Sequence, residues 1–149
     1  MTPHPVVSEL ALVLPPDAEA VVTARRRMRS FLAGLVHPEA LADAVLLAGE
    51  LVTNAILHAP PGPIALEVDL DGRRLRVEVH DAGPGLPDDW RARARRGPGG
   101  WGLAVVEALA DRWGFSREPL SQVWFEIDRA RRRGSAGPEL RGRRVLPAE

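Results

Sequence analysis

The sequence has no cysteine, no lysine and no tyrosine, and each absence removes a class of chemistry. Without a thiol there is neither a cysteine nucleophile nor a disulfide. Without lysine there is no Schiff base, no Walker P-loop and no strand lysine of the eukaryotic protein-kinase type. A GC-rich coding bias would also turn every basic residue into arginine, and the exclusions hold in either case. No apolar run approaches the roughly 18 residues of a membrane span, and no basic segment followed by an apolar one opens the chain. The expectation is a cytoplasmic protein that makes no membrane contact. Excess charge is missing too: 20 basic residues balance 20 acidic ones, which removes the electrostatic case for direct nucleic-acid binding. Any binding must come from a local site.

What is present fits one domain. At 149 residues the chain can bury roughly two thirds of its unfolded surface and fold without staples. Residues 1–8 read as an N-terminal segment, 9–128 as the domain, and 129–149, with seven arginines among Gly, Pro and Ala, as a disordered tail. Residues 9–14 read as a strand closed by Pro15-Pro16, after which Asp17 is the expected N-cap of a helix running to about Val36. Val21, Ala24, Met28, Leu32 and Leu35 form its apolar stripe. A second helix is expected from about Glu39 to His58, ahead of Pro60-Pro61-Gly62.

Two strands then meet at Asp71-Gly72, a two-residue hairpin signal. With that loop Leu70 faces Arg73, Val68 faces Leu75, Leu66 faces Val77 and Ile64 faces Val79, while Asp69 meets Arg74 and Glu67 meets Arg76. One face is apolar and the other pairs opposite charges. Residues 81–102 read as a long loop rich in glycine, with arginines at 91, 93, 95 and 96, and loops of that length are usually functional. A third helix from Leu103 to about Trp113 and strands over 113–115 and 123–127, turning at Pro119, complete the reading.

Three stations along the chain carry residues on which chemistry can rest. On the second helix the polar residues Asp43, Glu50, Thr53, Asn54 and His58 share an arc of roughly 140 degrees, with Glu50 and Asn54 one turn apart. A solvated face would account for them, but no arginine occurs between Ser30 and Gly72, and Leu46, Leu47 and Leu57 crowd the same side. A carboxylate and an amide in such surroundings need a partner, which a magnesium ion carrying phosphates would supply.

The second station is Asp81, which continues the inward alternation of Leu75, Val77 and Val79. An inward carboxylate needs a donor: a backbone amide, an arginine, or a ligand amine such as that of adenine. Gly83 and Gly85 follow and let a flat base approach the backbone. The third station, Gly97-Pro98-Gly99-Gly100-Trp101-Gly102, feeds the helix at Leu103. Such a loop presents free amides and a positive dipole end to phosphate, though a plain linker would look the same. It does not match the dinucleotide pattern G-x-G-x-x-G after a strand.

Taken in order, Glu50-x-x-x-Asn54, Asp81-x-Gly83-x-Gly85 and Gly100-Trp101-Gly102-Leu103 resemble the N, G1 and G2 boxes of the GHKL ATPases over roughly residues 9–128. Glu50-Leu-Val-Thr-Asn54-Ala-Ile-Leu-His58-Ala and the segment Gly102 to Gly114 look like the anti-sigma-factor serine/threonine kinase branch of the actinobacterial type. The resemblance implies an α+β fold, the Bergerat two-layer sandwich, with helices on one face of a mixed, mostly antiparallel sheet. It implies ATP and Mg²⁺ as cofactors, with Asn54 on the metal, Asp81 accepting from the adenine amine, and Gly83 and Gly85 shaping the base pocket. Gly100, Gly102 and Leu103 would offer amides to the phosphates, and Glu50 would be the catalytic base. Implied partners are a STAS-type anti-anti-sigma protein as substrate and a sigma factor, with homodimerisation open.

One departure concerns the last strand, where many relatives carry Thr near the base and this chain reads Ser121-Gln122-Val123. The leading expectation is a protein-serine kinase acting as an anti-sigma factor. A partner-sequestering module of the same fold that transfers no phosphate is the alternative. ATP hydrolysis driving a shape change, as in gyrase, is disfavoured because no transducing domain is present.

Overall fold

The computed structural model describes residues 8–89, 103–118, 120–132 and 145–147. The chain runs β1 (Ser8–Leu14), α1 (Ala18–Leu32), α2 (Pro38–His58), β2 (Ile64–Leu70), β3 (Arg74–Asp81), α3 (Leu103–Leu109), β4 (Arg112–Ser116), β5 (Ser121–Asp128) and β6 (Val145–Pro147). The strands form a six-stranded sheet in the order β1-β2-β3-β5-β4-β6. All pairs are antiparallel except β4 with β6. The helices cover one face, so the architecture is the mixed α+β sandwich expected.

Period-two alternation drives this packing. Ile64, Leu66, Val68 and Leu70 of β2, Leu75, Val77 and Val79 of β3, and Phe125 and Ile127 of β5 are all buried against Met28, Leu32, Leu47, Leu51 and Val52 of the helices. Each such side chain contributes roughly 1.5–3 kcal/mol on leaving water. By length and composition α2 could cross a membrane, yet more than half of its apolar window is buried inside the fold. Its apolarity serves the core that it spans.

Asp17 caps α1 as expected, its carboxylate accepting from the Glu19 N–H at 2.9 Å. The helix stops at Leu32, four residues short of the expected Val36, because Gly34 takes a left-handed conformation (φ 78°). Leu35 and Val36 instead donate their N–H groups to the Leu32 carbonyl in a closing turn.

The hairpin keeps the expected faces but not the expected register. Leu70 pairs with Leu75, Val68 with Val77 and Leu66 with Val79, a shift of two residues that preserves which side points inward. The cause is Asp71. Its carboxylate accepts from the N–H groups of Arg73 and Arg74, both at 2.7 Å, and its own N–H donates to the Arg74 carbonyl at 3.1 Å. That closes a wider loop without the left-handed glycine at 72 that a two-residue turn demands. Asp69 therefore meets Arg76, and Glu67 meets Glu78.

The third helix ends at Leu109, not near Trp113, because the chain has already joined the sheet: the Asp111 N–H donates to Glu126 O at 3.0 Å, and Trp113, wholly buried, pairs with Phe125. β5 is longer than expected, Ser121 to Asp128. Pro119 lies outside the described residues.

The segment expected to be a disordered tail carries structure where it is described. Val145–Pro147 pairs with β4, and Arg129 donates to the carbonyls of Asp71 and Leu35. Arg131 reaches Asp43, Asp111 and the Leu109 carbonyl.

Candidate functional site

A cleft open to solvent lies between the C-terminal half of α2 and the ends of β3 and β5. Asn54, Ala55 and His58 form its helix wall, Asp81, Val79, Ser121 and Val123 its sheet floor, and Gly83 to Leu86 its rim. Small-molecule ligands bind in clefts of this kind. The mixture of apolar walls with a few convergent polar groups is what such ligands require.

Asp81 stands on the inward face because it ends the alternation of β3. Burial is the main reason its carboxyl is raised above the ordinary 3.8, opposed by hydrogen bonds from the Gly83 N–H and the Ser121 hydroxyl and by the nearby His80. The Gly83 bond is 2.6 Å long. A Cβ at Gly83 would sit 2.8 Å from the carboxylate oxygen it binds and 3.1 Å from the Ala59 side chain, so a side chain there would displace Asp81. Ser121, first of the segment Ser121-Gln122-Val123, is the cross-strand partner of Asp81 and is buried.

Four of the expected site residues come together among the described residues. Asn54, Asp81, Gly83 and Gly85 line one cleft. Glu50, partly buried one turn before Asn54 on α2, is not among the lining residues. Leu103 is buried at the start of α3, likewise outside the lining. Gly100, Gly102 and the arginines from 91 to 96 lie outside the described residues. Of the other polar residues on that helix face, Thr53 donates to the Gly49 carbonyl at 2.7 Å. Asp43 is buried at the far end, 3.6 Å from Arg131.

Arg117 is the residue the sequence did not flag. From the β4–β5 connection its Nε donates to Leu86 O at 2.8 Å, its Nη2 meets Asp88 at 3.2 Å, and its Cγ lies 2.8 Å from where a Cβ on Gly85 would stand. Gly85 has φ 81°, a conformation that glycine adopts without strain. Together they fasten the rim of the cleft. Replacing Arg117 by Ala is expected to weaken nucleotide binding by about three- to tenfold, the worth of one or two hydrogen bonds, with the fold intact. Calorimetric titration beside circular dichroism checks this, and an unchanged affinity would show that the rim holds without it.

Asp81 and Asn54 thus line one cleft of an α+β sandwich, with Gly83 and Gly85 at its rim. Residues 14–126 match the family described as the histidine kinase-like ATPase domain, and the chain belongs to that family. Among solved structures, the chain is similar to the RsbU and RsbW domains of Rv1364c from Mycobacterium tuberculosis, with 22% identity and a TM-score of 0.61. The match covers 83% of this chain but 32% of that one, so this chain spans about a third of its length and the likeness concerns the fold. No curated protein matches the chain.

Proposed function

We propose that this chain is an ATP-dependent protein-serine kinase that acts as an anti-sigma factor, phosphorylating a STAS-type anti-anti-sigma protein and sequestering a sigma factor. The observation that carries the reading is the cleft in which Asp81, Asn54 and the Gly83–Gly85 rim meet. The carboxylate accepts from the adenine amine, and the absence of Cβ atoms lets the base lie against the backbone. The residues fit a magnesium nucleotide: Asn54 offers a neutral oxygen suited to a hard cation, and that ion would neutralise phosphate charge. Gly100, Gly102 and Leu103 supply backbone amides to the phosphates. The similarity to a chain containing an RsbW domain supports the anti-sigma part of the reading.

In the transfer, Glu50 takes the proton from the substrate serine hydroxyl. The serine oxygen forms its bond to the γ-phosphorus while the bridging bond to the β-phosphate breaks, and ADP leaves.

A second reading has its own support, since Glu50 stands outside the lining of the cleft. In it the chain binds ATP and captures its partner without transferring phosphate. One experiment separates the two: incubation of the full chain and Glu50→Ala with γ-labelled ATP, Mg²⁺ and STAS-fold proteins. Label on a substrate serine with wild type, lost by more than about 100-fold in the variant, is the expected result. Equal nucleotide binding in both, with a STAS protein captured but never labelled, would establish the sequestering module instead.

A further inference from the structure

The outer face of the sheet carries a group of side chains that the proposed function leaves unused. The observed register sets Glu67 directly opposite Glu78, a like-charge pair that ordinarily costs stability. His80 lies two residues further along β3 on the same face. Its Nε2 is 3.5 Å from Glu78 Oε1 and 3.8 Å from Glu67 Oε2, and that nitrogen is enclosed without a hydrogen-bond partner. The separations are too long for good hydrogen bonds. They are close to another spacing: ligands held about 2.0–2.1 Å from a tetrahedral ion lie roughly 3.3 Å apart. The three ligand atoms lie within 4.8 Å of one another, so small side-chain rotations close the set.

We propose that Glu67, Glu78 and His80 form a binding site for a divalent transition-metal ion of the zinc class, bridging β2 and β3 on the face opposite the helices. One imidazole and two carboxylates suit zinc better than magnesium, which prefers oxygen alone. Glu78 is held from behind, Gln122 Nε2 donating to its Oε1 at 2.6 Å and Arg76 Nε to its Oε2 at 3.2 Å, as outer partners orient a ligand. The surroundings favour a cation: Asp69, on the same strand as Glu67, has a carboxyl raised first by burial and then by Glu78, Glu67 and Glu9. Arg76 is the opposing charge. Glu67 is half exposed, leaving a path of entry and room for water in the remaining position. A proton on His80 is the competing occupant, since Glu78 raises the pKa of the imidazole.

The test is calorimetric titration of the full, nucleotide-free chain with Zn²⁺ at about pH 7.5, where a free imidazole is neutral. One equivalent is expected to bind in the micromolar range and to raise the melting temperature. His80→Ala and Glu67→Gln are each expected to weaken binding more than about tenfold, whereas Asn54→Ala keeps the wild-type affinity. Should His80→Ala fail to fold, the half-exposed Glu67→Gln decides the matter. The proposal is overturned by the absence of zinc binding, by affinity that both ligand variants leave unchanged, or by zinc that Asn54→Ala releases. NMR signals of the His80 ring that titrate with pH but do not move on adding zinc would overturn it as well.

Discussion

Asp81→Asn is expected to weaken ATP binding by about 10- to 100-fold while leaving the ligand-free protein at least as stable as the wild type. The two effects have one origin. Burial holds the Asp81 carboxyl above its ordinary value of 3.8, so the ionised form costs folding energy at neutral pH. An acid with a raised value makes the folded chain bind more protons than the unfolded one between 3.8 and the raised value. Its contribution to stability therefore falls as pH rises through that window and stays unfavourable above it. The amide removes that cost and still accepts from the Gly83 N–H. What it presents to an adenine amine, however, is a donor in place of an acceptor.

Thermal unfolding without nucleotide should show a midpoint equal to the wild type or higher by on the order of 2 °C. Titration with Mg·ATP should show the loss of affinity. For the wild type, affinity should also fall on acidification as Asp81 takes up its proton. A variant that bound ATP normally would remove Asp81 from the base pocket.

Arg131→Ala is expected to cost roughly 3 kcal/mol of stability and lower the melting temperature by about 10 °C. Asp43 is 1% exposed, and Arg131 Nη1 lies 3.6 Å from it. The same guanidinium donates to the carbonyl of Leu109 at the end of α3 and pairs with Asp111. Its removal weakens the compensation of a buried charge and loosens the join between α2, α3 and β4. The exposed Arg27→Ala serves as control, and denaturant unfolding of both is the measurement. If Arg131→Ala unfolds within about 0.5 kcal/mol of the wild type, as an ordinary surface substitution does, Asp43 is adequately served by its other contacts.

This second prediction marks where the sequence was least informative. Arg131 sits among arginines, glycines and alanines, a composition that reads as solvated chain. Nothing local says that it turns back onto a buried acid nearly ninety residues earlier. The hairpin shows the opposite case. Alternation in β2 and β3 gave the correct faces, because faces depend only on parity, whereas the register depended on how the Asp71 side chain bonds to the loop amides. Ser121 is intermediate: its hydroxyl was in view, but placing it beside Asp81 requires the β3–β5 pairing, which joins strands forty residues apart. Asn54 and Asp81 were legible because inward polar residues break an otherwise apolar pattern, and Gly83 and Gly85 joined them through the motif order that resembles the GHKL boxes.

The two ends of the sandwich are built differently. At the end holding the β2–β3 loop, Arg129 takes its N–H to Arg73 O at 3.1 Å and accepts from the His37 N–H at 2.8 Å, while Arg131 grips Asp43. The cleft lies at the other end of the same helix and strands. The sandwich is thus tied together at the end remote from the cleft, so damage at Arg129 or Arg131 reaches Asn54 and Asp81 only through the length of α2 and β3.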